Sequence, residues 1–224
     1  MTKPRVVETN EGIHGEFNVT TYDQMQRRLR DKGWIETGDI IKSGITSGRA
    51  LEVGPGPGYL GLEWLKHTQN TTLTGLDISA DMLKIAKRNA ADYQMSHRVN
   101  YIQSSGQTMP FGENEFDAVF TNGSLHEWEK PMDTFSEMWR VLKSGGKIFI
   151  SDLRRDMSPL LRWFLWINTR PKSIRPGLIT SIDAAYTPTE LRELIKDSPL
   201  AGCQVSANLI GVKMTGIKDG DARA

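Results

Sequence analysis

Between Ala50 and Leu65 the chain reads ALEVGPGPGYLGLEWL, with Gly54, Gly56 and Gly58 separated by Pro55 and Pro57. Glycines so placed let the backbone turn sharply between a strand and a helix and let a ligand approach the main chain. Glu52 stands just before them, and Asp77 closes the next apolar run, TLTGLD. An acidic side chain at that position could accept both hydroxyls of a ribose, which suits a nucleoside ligand. The dinucleotide fingerprint would need glycine at position 59, where Tyr59 stands, and the two prolines lack the N–H groups that cradle a pyrophosphate. No G-K-[ST] follows, so a triphosphate loop is excluded. A nucleoside without phosphate fits better, and a tight turn with purely structural glycines is the alternative.

His126, in NGSLHEW, is the best candidate for a general base. Its ordinary pKa of about 6.5 suits proton transfer. Contact with substrate or cofactor and a scaffold role compete with that reading. Glu127 could orient the imidazole or face water. The four histidines show no metal-ligand spacing such as H-x-x-x-H, so no metal is expected.

These residues need a scaffold, and the pattern around them supplies one. RALEVG reads as a buried strand, GYLGLEWLKHT as a helix, TLTGLD as a strand, and SADMLKIAKRNAADY as a helix capped by Ser79. RVNYIQ and FDAVFTN read as strands, PMDTFSEMWRVLK as a helix opened by proline, and GKIFISD as a strand. Such alternation predicts a doubly wound α/β sheet. A helix starting after Thr20 or Thr21 and a short one near Glu36 to Ser43 precede the first strand. After Asp152 an apolar, aromatic helix and a Pro- and Arg-containing loop break the rhythm. PTELRELIKD then forms a helix with Thr187 and Glu190 as a reciprocal cap, and two short antiparallel strands, CQVSA and IGVKMT, close the fold. The division expected is a lid segment over 1–48, a cofactor-binding core over 49–153, a cap insertion over 154–186, a closing helix and hairpin over 187–217, and a frayed tail over 218–224.

The chain has 224 residues, one domain's worth, and 28 basic residues against 27 acidic ones. That near balance argues against a dedicated nucleic-acid binder. A single cysteine, Cys203, rules out an internal disulfide and is expected to be a buried thiol. The first residues lack a signal peptide's apolar core and no long apolar run exists, so a cytoplasmic protein without stable membrane insertion is the expectation.

Taken together, LEVGPGPG, GLDIS, SGQTMPFGENEFDAVFTNGSLHEW and EMWRVLKSGGKIFISD resemble the class I S-adenosylmethionine-dependent methyltransferases. The similarity is strongest to their small-molecule, UbiE-like (methyltransferase type 11) group and spans about 49 to 155. It implies a Rossmann-like sheet of seven strands with the last strand antiparallel, under a helical cap. It implies S-adenosylmethionine as cofactor and S-adenosylhomocysteine as product. Glu52, Gly54, Gly56 and Gly58 would line its methionine and ribose portions, Asp77 would hold the diol, and Ile78 and Met82 would lie along the adenine. Where the family usually carries an acidic residue before Pro-Phe, this chain has Ser105, leaving Ser105, Gly106 and Gln107 as a shared set of adenine contacts. Asn122 would lie beside the methionine part. Tyr22, on the first helix, would touch the methionine carboxylate or the substrate as that segment closes.

Methyl transfer from a sulfonium is a direct in-line displacement, and holding donor and acceptor in a dry cavity can supply roughly 7–11 kcal/mol in favourable intramolecular cases. No Asn/Asp-Pro-Pro-Tyr run and no cysteine near the site are present, which removes the exocyclic-amine and cytosine classes. Between Arg154 and Arg175 the basic residues outnumber Asp156, and Trp163, Phe164 and Trp166 lie among them. A helix exterior, a dimer contact and membrane-surface contact are three readings of this segment. A fourth is a lid in which Arg154, Arg155 and Trp163, with His126, meet an anionic or aromatic small-molecule substrate. A monomer or homodimer is expected. The rival functions are a methyltransferase acting on protein or RNA, a nicotinamide-dependent oxidoreductase, and a noncatalytic nucleoside binder.

Overall fold

The computed structural model describes residues 4–7 and 13–219. Seven strands form one sheet: β1 (Gly48–Val53), β2 (Thr71–Asp77), β3 (Val99–Gln103), β4 (Phe116–Asn122), β5 (Leu142–Leu153), β6 (Gln204–Ala207) and β7 (Gly211–Ile217). Their order is β3-β2-β1-β4-β5-β7-β6. The first five run parallel, and β7 pairs antiparallel with both β5 and β6. The helices are α1 (Glu16–Asp31), α2 (Thr37–Lys42), α3 (Tyr59–Lys66), α4 (Ala80–Asp92), α5 (Pro131–Val141), α6 (Pro159–Asn168), α7 (Arg175–Ala184) and α8 (Pro188–Ile195). This is the doubly wound, Rossmann-like architecture that the alternation predicts.

Strand alternation divides the core into two faces. Leu51, Val53, Val119, Ile148 and Ile150 pack with Phe135 and Met138 of α5 and Leu191 of α8. Ala50, Ala118, Phe120 and Phe149 pack on the other face with Ile40 of α2 and Trp64 of α3. Because β2 and β4 flank β1, the chain leaves β1 in opposite directions on its two sides. A crevice opens there, at the carboxyl ends of the strands.

Local signals account for several boundaries. Ser79 Oγ accepts from Met82 N at 3.2 Å at the start of α4. Thr187 and Glu190 form both halves of the capping box on α8. Three expectations need correction. α1 begins at Glu16, right after Gly15, rather than after Thr20, and its first turn already places Val19 in the core. The loop after the cap helix contains a further helix, α7, opened by Pro176. Lys218 is not frayed: its N–H donates to Gly146 O and its carbonyl accepts from Gly145 N, extending the β5–β7 pairing. Residues 220–224 of the expected tail, and residues 1–3 and 8–12 of the lid segment, lie outside the described residues. Cys203 is half-buried, and burial pushes its thiol up to about 11.

Candidate active site

A cleft of about 740 Å³, partly open to solvent, fills the crevice at the tips of β1, β2 and β4. Gly54, Gly56, Asp77, Ile78, Met82, Ser105, Gly106 and Gln107 line it, joined by Gly123, Ser124, Glu127 and Trp128 from the end of β4.

The glycine turn is shaped by two constraints. Gly54 adopts φ 68°, and a Cβ there would stand 2.2 Å from Ser124 Oγ, so only glycine lets the β1 and β4 tips approach. Gly56 N donates to Asp77 Oδ2 at 3.0 Å, while Ser79 N donates to Asp77 Oδ1 at 2.8 Å. Burial raises the Asp77 pKa, opposed by those backbone donors. Each carboxylate oxygen keeps further acceptor capacity, so the group fits a ribose diol from an aligned position. Ile78 presents an exposed apolar surface beside it, and Met82 is buried under the same wall. Gly106 packs where a Cβ would lie 3.1 Å from Thr134, holding its loop close to α5. Ser105 Oγ accepts from Gln107 N at 3.1 Å, so this hydroxyl organises the loop that lines the cleft. The donor set therefore suits S-adenosylmethionine: a carboxylate for the diol, an apolar wall for the base, and no cluster of cations for phosphates.

The amino-terminal segment covers the cleft. Ile13 lines it, and its carbonyl accepts from Ser79 Oγ at 2.7 Å. Tyr22 of α1 faces Gly56, 3.5 Å from where a Cβ would stand. Burial, assisted by negative charge on Glu127, raises the Tyr22 pKa and keeps the phenol protonated. α1 is fastened by one carboxylate. Asp23, only 3% exposed, accepts from Tyr59 OH at 2.9 Å, Asn89 Nδ2 at 3.2 Å, Arg88 at 2.9 Å and Arg27 at 3.2 Å. Asn89 also donates to Pro57 O at 2.8 Å, which joins this anchor to the glycine turn.

His126 follows β4 in a single 3-10 turn and is 4% exposed. Its Nδ1 lies 2.9 Å from both carboxylate oxygens of Asp152, and its backbone N–H donates to Asp152 Oδ2 at 2.8 Å. Asp152, not Glu127, orients the imidazole. Glu127 instead lines the cleft, with Oε1 3.9 Å from His126 Nε2. Arg5 donates to the His126 carbonyl at 3.0 Å and stacks 4.2 Å over the Tyr186 ring.

His126 itself is not among the residues that line the cleft, its Nε2 being buried behind Glu127, and other expected site residues also lie away from the lining. Glu52 shares its strand face with Ala50, so its carboxyl points back at Gly61 in α3, and burial pushes it up to about 8. Gly58 starts α3, where a Cβ would strike Tyr101. Asn122 has the parity of Phe120, and its Nδ2 donates to Ser151 Oγ at 2.8 Å on the α2 face. Arg154 binds Asp156 at 2.6 and 2.8 Å and the Asn208 carbonyl at 2.8 Å. Arg155 is buried against the Ala185 carbonyl and Glu190. Trp163 is exposed on the outside of α6. Asp23 and Asp152 were missed. Asp152 did carry a signal, since an acidic residue at the end of β5 sits beside the crevice that β4 borders.

Known proteins share this fold. The Methyltransferase domain family (Methyltransf_11) matches residues 51–150. A demethylmenaquinone methyltransferase of Roseiflexus castenholzii is 25% identical over 207 residues, covering 86% of this chain and 84% of the relative. The uncharacterized methyltransferase YdaC of Bacillus subtilis is 36% identical over 123 residues, 54% of this chain and 66% of the relative. A SAM-dependent methyltransferase structure from Aquifex aeolicus superposes with a TM-score of 0.67 at 18% identity, covering 91% of this chain and 98% of that one. The cleft, the Asp77 carboxylate and these matches together support a class I S-adenosylmethionine-dependent methyltransferase of the UbiE-like group.

Proposed function

We propose that this enzyme methylates a small, ring-bearing acceptor of quinone type by in-line displacement inside the covered cleft. The carrying observation is the closure: Ile13 and Tyr22 reach over the cleft that Asp77 and Ile78 floor. A cleft roofed by the chain's own amino-terminal segment suits a small acceptor better than a protein or RNA surface. The relatives support the acceptor class, since one carries the name demethylmenaquinone methyltransferase.

Bound in the cleft, S-adenosylmethionine supplies an electrophilic methyl group. The protein's part is positioning and dryness. Asp77 fixes the ribose, Ile78 with the Ser105–Gln107 loop takes the base, and Tyr22 and Trp128 exclude water from the reacting end. Where the acceptor arrives protonated, His126 serves as the base, with Asp152 holding the proton on Nδ1 and leaving Nε2 basic toward Glu127.

The test is a transfer assay with methyl-labelled donor offered to a naphthoquinol, to total protein and to tRNA. Label should enter the naphthoquinol alone; label in protein or tRNA would contradict the reading. His126→Gln should lower kcat on a protonated acceptor about 100-fold and remove the acidic limb of the pH profile.

A further inference from the structure

Helix α6 carries an apolar stripe that the fold leaves uncovered. Ser158 caps it and Pro159 opens it, so it is a well-formed helix. Its sequence, PLLRWFLWIN, is dominated by large apolar side chains, yet none of its residues is buried. Leu160, Trp163, Phe164 and Ile167 follow the i, i+3, i+4, i+7 spacing of a single helical face. All four are exposed, Leu160 at 74% and Phe164 at 50%. Trp166 stands exposed at the edge of the stripe.

Within the segment that carries this stripe, the charged residues have one sign. From Met157 to Ile182 the chain contains Arg162, Arg170, Lys172 and Arg175 and no acidic residue. Arg162 is neutralised by Asp183 at 2.7 and 3.0 Å. Arg170 and Arg175 donate to the carbonyls of Ile167 and Thr169, which position the guanidinium groups without cancelling their charge. The Arg175 guanidinium also lies 4.5 Å over the Trp166 ring, and Lys172 is exposed between the two arginines.

We infer that α6 docks on the surface of an anionic lipid bilayer, its apolar stripe sunk to the headgroup boundary and the 170–175 cations on the phosphates. Tryptophan with flanking arginine is the composition such an interface selects, and a short helix rich in apolar area lies in the plane of a membrane. Ten residues are too few to cross one, and among the described residues no helix is long and apolar enough to do so. A second copy of the chain fits the stripe poorly, because a two-fold contact would set the same cations against each other. This inference stands apart from the acceptor's identity.

Co-sedimentation of the full chain with vesicles tests it. The protein should pellet with phosphatidylcholine vesicles containing phosphatidylglycerol, bind pure phosphatidylcholine much more weakly, and release as salt rises. Leu160→Ser with Phe164→Ser should weaken binding at least about tenfold, and Arg170→Glu with Lys172→Glu on the order of tenfold or more. Both pairs should keep the wild-type affinity for S-adenosylhomocysteine, which shows them folded. Equal binding to neutral vesicles, unchanged binding of either pair, or a solution dimer dispersed by the Leu160/Phe164 pair would overturn the inference.

Discussion

α1 and α6 are both helices outside the layers that flank the sheet, and they meet the rest of the chain in opposite ways. α1 buries only Val19 and Asp23, and its fixed point is a carboxylate shared by Tyr59, Asn89, Arg88 and Arg27. α6 buries nothing and turns its largest side chains outward. A hydrogen-bond network is directional and holds one geometry, which a helix needs when it must set Tyr22 against the glycine turn. An apolar stripe is non-directional and suits a fluid or variable surface. The first helix serves the cleft, and the second serves what lies outside the molecule.

The sharpest way to break the comparison is Asp23→Ala. It would leave Asn89, Tyr59 and Arg88 without their shared acceptor. We expect a stability loss of about 2–3 kcal/mol in chemical denaturation, with weaker donor binding. Acid should reach the same contact. Burial alone would raise the Asp23 pKa, but hydrogen bonds from Asn89, Tyr59 and Arg88 prevail and lower it. A lowered folded value means that this stability is fully present above the ordinary carboxylate value, about 3.9, and is lost as pH falls through the folded one. Protection against hydrogen exchange in α1 should therefore hold steady down to pH ~4 and fall below it. Protection in α6 should not depend on Asp23, since the carboxylate that helix meets is Asp183, through Arg162.

Tyr22→Phe asks for less. It keeps the ring over Gly56 and removes the bond from Gln26 Nε2, 3.0 Å away. Donor Kd should rise by about three- to tenfold in calorimetry, with little change in stability. Leu160→Ser on α6 should have the smallest effect, within about 0.5 kcal/mol by denaturation and with unchanged donor affinity. A large loss there would mean that α6 is packed after all.

What was legible in the sequence follows the range of the interactions. Ser79 before α4, and Thr187 before α8 with Glu190 in its first turn, act within one helical turn, so the pattern displays them. The glycine turn and Asp77 were legible because turn geometry restricts residue type. Asp23 finds Asn89 across 66 residues, and His126 finds Asp152 across 26, and no local pattern records either contact. Glu52 and Asn122 lie off the cleft lining for another reason. Both sit on the correct strands near the crevice, but period-two alternation sends their side chains to the α2–α3 face. Arg154 and Arg155 were plausible substrate ligands by charge alone, and their carboxylate and carbonyl partners are visible only in three dimensions.

Isothermal calorimetry with S-adenosylhomocysteine, on the wild-type protein and on Asp77→Asn, bears most directly on the cofactor site. The wild type should bind one equivalent per chain, and Asp77→Asn, with one acceptor oxygen and no charge, should bind on the order of 10- to 100-fold more weakly. Equal affinity in the two proteins, or no heat of binding in the wild type, would contradict a ribose held by Asp77.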